Sequence, residues 1–284
     1  MSTQTTDAPE KTIKELLLDK DFVQTKTVQN MLEQSRRTVG VQIRRDFVQT
    51  GPQKKPVPGV LGTLVRSHNE RALDLYLLHR LCAVSDPWDV KKPSILWARA
   101  LGLSMAGNNR HYASDTVSKL WGKLVEVKLV QRTRESRMAK ITALHEDGSG
   151  NPYTQLRPDK DAYFNLPLEY WSEDWYRNLS FAAKATLLIT SSLQPGFYLP
   201  QEFAPKWYGI SADTLNTGLG ELKHFGLLDY GSFPREDWGT VEVTVMERRY
   251  TLQPPFDRKL STETAKARFP KTLARMKKGG SGES

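Results

Sequence analysis

Residues 114–130, SDTVSKLWGKLVEVKLV, recur without a gap 98 positions later as residues 212–228, ADTLNTGLGELKHFGLL. Asp115/Asp213, Thr116/Thr214, Gly122/Gly220, Leu124/Leu222 and Leu129/Leu227 are identical. Val117/Leu215, Trp121/Leu219, Val127/Phe225 and Val130/Leu228 are apolar in both copies. In the first copy Val117, Leu120, Trp121, Leu124 and Val127 fall at i, i+3, i+4, i+7 and i+10, the spacing that lays one apolar stripe along a helix. A chain of 284 residues is long enough for two such helices to serve two separate cores. The repeat therefore predicts two domains built on one plan.

The segments around each copy follow the same order. ERALDLYLLHRLCAV (70–84) and PSILWARALGL (93–103) predict two helices, with Pro93 suited to a first turn. Ser114 or Asp115 is expected to cap the third helix by accepting from its free amides. VQRTRESRMAKITALHEDGSGN (130–151) reads as two strands around a charged tip. In the second half LSFAAKATLLITSSL (179–193) predicts a helix and LPQEFAPKWYGI (199–210) a short one interrupted by Pro205. The repeat helix follows, and then a hairpin from DYGSFPREDWGTVEVTVMERRYTL (229–252).

Outside the repeats, apolar residues between Lys11 and Arg37 predict two short helices split around DKDFVQT, and the pentad DFVQT returns at 46–50. GPQKKPVPGVLG (51–62), with three prolines and three glycines, reads as a linker. The expected organisation is a basic helical extension and linker at 1–62, a first domain at 63–150 and an aromatic-rich connector at 151–178. A second domain at 179–256 and a basic tail at 257–284 complete it. The connector's Tyr163, Phe164, Tyr170, Trp171, Trp175 and Tyr176 are expected to pack against a domain or to hold the two in a fixed relation.

Three helices and a hairpin, twice, is the order of a winged helix-turn-helix. ISADTLNTGLGELKHFGLLDY (210–230) resembles the recognition-helix run of that superfamily through Ser211, Thr214, Leu215, Leu222, Gly226, Leu227 and Leu228. The first copy matches with Ser114 (one place later in register), Thr116, Val117, Leu124, Leu129 and Val130. It departs at Lys128, where the pattern has the glycine that turns the chain at the helix end. The resemblance implies a mostly α fold with small β-hairpins, an α+β arrangement of two tandem winged helices. It implies double-stranded DNA as partner. A sequence-specific transcription regulator is the leading expectation. A plasmid or phage replication initiator is the alternative, and a protein-binding adaptor is the alternative from another class.

The net charge of +9 and a pI near 9.5 suit a polyanionic partner. The two copies divide this charge unequally. Residues 107–145 carry eight cationic and three acidic groups, while residues 205–250 carry five and seven. The first domain is therefore the expected DNA reader. Its expected contacts are Asn108, Asn109, Arg110, His111, Ser114, Thr116, Ser118, Lys119 and Lys123 from the helix and the turn before it. Arg132, Arg134, Arg137 and Lys140 are the expected contacts from the hairpin. RTRESR also reads as a solvated hairpin tip, and Asn108/Asn109 as a turn. In the second domain Ser211, Thr214, Asn216, Thr217 and Lys223 are candidate contacts, beside a role in binding a second copy or another protein. Residues 10–60 carry ten cations against six acids and residues 258–278 eight against one, reading as phosphate-tracking arms or as solvated tails.

Catalytic chemistry finds no pattern. There is no phosphate-binding G-x-x-x-x-G-K-[ST] loop, no H-E-x-x-H and no G-x-S-x-G. GLGELK (218–223) lies within a predicted helix rather than after a strand. The single cysteine, Cys82, reads as a small buried hydrophobe. No enzyme activity, metal or cofactor is expected. With no apolar run near the roughly 18–20 residues of a membrane span and no signal-peptide pattern at the N-terminus, a cytoplasmic, nucleoid-associated protein without a membrane partner is expected.

Overall fold

The computed structural model describes residues 19–52, 55–103, 109–136, 138–236 and 244–257. The chain is a mixed α+β protein that divides into two compact units, neither continuous in sequence. The first is drawn from Met1–Val41, Arg66–Lys160 and Leu168–Asn178, the second from Gln42–Val65, Asp161–Pro167 and Leu179–Ser284.

In the first unit, helices Glu70–Cys82 and Ser94–Ala100 precede the first repeat helix, Asn109–Glu126. Pro93 stands at the cap position, one residue before the first helical turn. The hairpin strands Val130–Glu135 and Met138–Ala143 are joined by Asp89–Lys91, with Met138–Ala143 in the middle. The register sets Val130 against Ala143 and Arg132 against Ile141, with Val90 on the far side of Ile141. This alternation turns Val130, Ile141 and Ala143 to specific sides of the pleat, and all three are buried. Trp121 crosses the core, its ring edge-on to Trp97 (centroids 5.4 Å apart) and to the buried His79 (5.8 Å). His79 Nε2 lies 3.0 Å from the carbonyl oxygen of Ile141, tying helix to hairpin.

The second unit repeats this order. Helices Phe181–Ser191 and Ala204–Tyr208 precede the second repeat helix, Ala212–His224. Strand Thr244–Leu252 lies between Leu228–Glu236 and Phe197–Tyr198. Leu228 pairs with Leu252 and Tyr230 with Tyr250, which is also paired with Phe197. Ser180 and Ser211 cap the first and third helices, accepting from the amides of Ala183 at 3.2 Å and Thr214 at 3.0 Å. Pro205 sits in the first turn of its helix, where no amide is needed, and does not interrupt it.

The repeat maps onto equivalent places. Leu124 and Leu222 are both fully buried, as are Val117 and Leu215. The Leu129 amide donates to the Leu124 carbonyl at 3.0 Å, and the Leu227 amide to Leu222 at 2.9 Å. Each chain then returns from its hairpin to the same leucine: the Leu144 amide donates to Leu129, and the Gln253 amide to Leu227, both at 2.9 Å. Lys128 adopts φ 57° where Gly226 adopts φ 70°, so the turn forms in both copies despite the lysine. Leu120 and Val127 are only half-buried, which narrows the expected stripe to Val117, Trp121 and Leu124.

Several boundaries differ from the sequence reading. The first of the two helices expected between Lys11 and Arg37 lies outside the described residues, and the second, Lys20–Ser35, is capped by Asp19 and runs straight through DFVQT rather than starting after it. It packs on helices Glu70–Cys82 and Ser94–Ala100, so it belongs to the first unit's core. Just past it, Arg37 donates to the carbonyls of Leu81, Arg80 and Ala83, each at 3.0 Å, satisfying the free end of helix Glu70–Cys82. The 51–62 stretch is no linker. Val57–Pro58 pairs with Gln49–Thr50, and helix Val60–Arg66 buries Leu61 and Leu64. The connector also divides. Strand Tyr163–Leu166 joins Val41–Arg44 in the second unit, whereas Tyr170, Trp171 and Tyr176 are buried in the first. Cys82 is half-buried, and burial pushes its thiol up to about 11.

Candidate nucleic-acid interface

The first repeat helix spans 18 residues and begins well before the expected cap. Ser114 and Asp115 therefore lie inside it and cap nothing. Ser114 is half-buried in the second turn and Asp115 is exposed. Asn108 and Arg137 lie outside the described residues, as do the side chains of Asn109 and Arg110. His111 and Lys119 are exposed, and Thr116 and Ser118 half-exposed. The side chain of Thr116 turns back on its own helix, its Oγ1 donating to the Tyr112 carbonyl at 2.8 Å. Tyr112, Thr116, Lys119 and Lys123 succeed one another at i, i+4, i+7 and i+11, a single outward stripe. Lys123 pairs with Glu126 at 3.2 Å, but both are exposed, and such a pair is worth only about 0.2–0.5 kcal/mol.

The hairpin cations are not equivalent. Arg132 leans onto the helix, Nη1 donating to the carbonyl and the Oγ of Ser118 at 3.1 and 3.0 Å. It thus fixes the hairpin base to the helix face, and among the described residues its charge is paired with no carboxylate. Arg134 is exposed and makes no ion pair among the described residues. Lys140, expected as a free contact, is instead held by Asp89 at 2.8 Å and Glu135 at 3.6 Å. The hydrogen bond that the Lys140 ammonium donates to Asp89 holds it above its ordinary pKa. Lys91 bonds Glu135 from the other side, and that bond holds the carboxyl below its usual range. The strand Asp89–Lys91 supplies two of these partners, and a count over 107–145 does not reach it.

In the second unit Ser211 caps the helix by accepting from the Thr214 amide, and the two hydroxyls lie 2.8 Å apart. Asn216 accepts from Gln201 at 3.0 Å. Thr217 is exposed. Lys223 Nζ stands 4.3 Å from the centre of the Tyr230 ring. Three of the seven acids counted against this unit, Glu221, Asp229 and Glu247, are committed to its own fold. Glu221 accepts from the Ser180 amide at 2.8 Å and from its hydroxyl. Asp229 accepts from the Tyr230 amide at 2.8 Å. Glu247 lies between Arg249 at 2.9 Å and Arg235 at 3.5 Å.

Tyr112 is the residue that sequence reasoning missed. It is 69% exposed in the first turn of the helix, between His111 and the Thr116–Lys119 stripe. The polar face has the same period as the apolar one, so following that period on the outward side finds it. Among the described residues no three His, Cys, Asp or Glu side chains are grouped to hold a metal ion, and no helix is long and apolar enough to cross a membrane. Comparison with family models, with curated proteins and with solved structures found no match for this chain.

Proposed function

We propose that the protein carries two winged helices, binds double-stranded DNA through the first of them and acts as a sequence-specific transcription regulator at the nucleoid. The observation that carries this reading is the first unit's outward stripe of Tyr112, Thr116, Lys119 and Lys123 beside Arg132 and Arg134. A helix with such a stripe suits the major groove, and the hairpin cations suit the flanking phosphates. Lys119 and Tyr112 are the base readers, through hydrogen bonding and contact with a thymine methyl respectively. Arg134 is the phosphate contact. Arg132 orients the hairpin through Ser118.

The test is equilibrium binding to random and selected duplexes over a salt series. Arg134→Ala weakens binding to all sequences alike and makes the slope of log K against log salt shallower by about one. Lys140→Ala leaves the slope unchanged, because its charge is already neutralised. Lys119→Ala relaxes preference at one or two base pairs, a discrimination of about 1–3 kcal/mol each. Failure of the wild-type chain to bind any duplex at low salt overturns the reading. Replication initiation is a second reading, favoured by the second unit's repetition of the whole helix and sheet order. Protection of several direct repeats beside an AT-rich region selects it, and protection across a promoter selects regulation.

A further inference from the structure

The negative balance of the second unit says little about the surface between its repeat helix and its hairpin. Pairing of Phe233 with Glu247 and of Gly231 with Arg249 places Glu247, Arg235 and Arg249 on one face of the hairpin. Glu247 is nearly buried there, between its two arginines. Tyr230, Ser232 and Arg248 alternate to the other face, the one that Leu228, Tyr250 and Leu252 share. On that face Lys223 Nζ lies 4.3 Å and Arg248 Cζ 5.3 Å from the centre of the same Tyr230 ring. The Tyr250 ring stands 5.8 Å away, tilted by 55°. Among the described residues neither cation has a carboxylate partner.

We propose that this seam is a second phosphodiester-binding surface, in which Lys223 and Arg248, both steadied on Tyr230, grip the backbone of a DNA duplex. The inference rests on the reading of the protein as a duplex binder and assigns the second unit a direct share in it. Three observations carry it. Two cations with no carboxylate partner among the described residues lie against one ring. The ring restrains two long side chains that would otherwise lose rotamer freedom on binding. The place is the repeat equivalent of the first unit's seam, since Tyr230 stands 98 residues after Arg132. The groups the seam presents are cations, so it reads charge and not sequence.

The experiment uses the full chain and a random-sequence duplex, with affinity followed by fluorescence anisotropy across a salt series. Lys223→Ala with Arg248→Ala makes the log–log slope shallower by about two, at unchanged circular dichroism. The charge-conserving pair Lys223→Arg with Arg248→Lys keeps the wild-type slope. Arg134→Ala is measured in parallel. A slope that falls with Arg134→Ala but not with the seam alanines overturns this inference and leaves the DNA reading standing, and the seam's partner is then an acidic protein or none. An equal loss in the alanine and the charge-conserving pairs also overturns it, because charge would not be what the seam supplies. A wild-type chain that binds no duplex overturns both.

Discussion

Leu124 and Leu222 do one job in two units, but eight residues further on Arg132 and Tyr230 do different ones. The leucines are fully buried at the same turn of the same helix, and each accepts the same amide from the chain leaving it. At the seam, Arg132 reaches Ser118 on the helix, whereas Tyr230 is flanked by Lys223 from the helix and Arg248 from the opposite strand. The inward face of a repeat is held by packing density, where a lost methylene leaves a void. The outward face has no such constraint, and there the copies have diverged. A second divergence lies between helices. Gly218 faces helix Phe181–Ser191 so closely that an added Cβ would stand 2.1 Å from Thr186 Oγ1 and 2.5 Å from the Ala182 carbonyl. Its counterpart, Leu120, is half-buried and has a full side chain.

The equivalence of the buried leucines gives the largest expected effect. Leu124→Ala and Leu222→Ala should each cost about 2–5 kcal/mol in urea unfolding followed by tryptophan fluorescence. A cost below about 1 kcal/mol at either site breaks the claim that both copies use the stripe as core. Acid should next separate the units. Burial lowers His79 to about 4 from its ordinary 6.5, because the interior disfavours the imidazolium. A depressed folded-state pKa gives stability that is complete above about pH 6.5 and lost as pH falls through about 4. The loss is on the order of 3 kcal/mol, and it falls on the first unit, since the second unit's histidine, His224, is exposed. Unfolding of wild type and His79→Gln at pH 7 and pH 4.5 isolates it. An equal pH dependence in the two proteins removes His79 as the cause.

Glycines then test the copies at smaller energies. Gly218→Ala should destabilise by about 1–3 kcal/mol, since the obstacle includes backbone. Gly122→Ala and Gly220→Ala meet nothing within 4 Å and should each stabilise by up to about 1 kcal/mol through helix propensity. Thermal melts that moved in the same direction for Gly218→Ala and Gly220→Ala would contradict the close helix approach. The smallest effect has opposite signs in the two copies. Gly226→Ala places a Cβ at φ 70° and should cost about 1 kcal/mol, whereas Lys128→Gly relieves φ 57° and should gain up to about 1 kcal/mol. Two changes of the same sign would show that the helix ends differ.

Much of the inward architecture was legible in the residues alone. The 98-residue offset, the apolar period and the β-branched second hairpin located both repeat helices and both hairpins, because local periodicity and burial coincide there. Charge was less legible. The count missed that Lys140 is spent on Asp89 and that Glu221 is spent on Ser180, since those partners come from other elements. Lys91 and Glu135 meet only across the sheet, again beyond the reach of a window along the chain. The clearest limit is the pentad DFVQT. At 21–25 it is α-helix, between the cap Asp19 and the buried Met31. At 46–50 the same five residues form the end of a 3₁₀ turn and a strand paired with Val57–Pro58. Five residues carry too little intrinsic preference to choose, so neighbouring surfaces choose for them: helix packing in one unit, a strand partner in the other. The repeat could be read along the chain because its own residues make its core. The Lys223–Tyr230–Arg248 seam could not, because it exists only where a helix end and two strands are folded to one place.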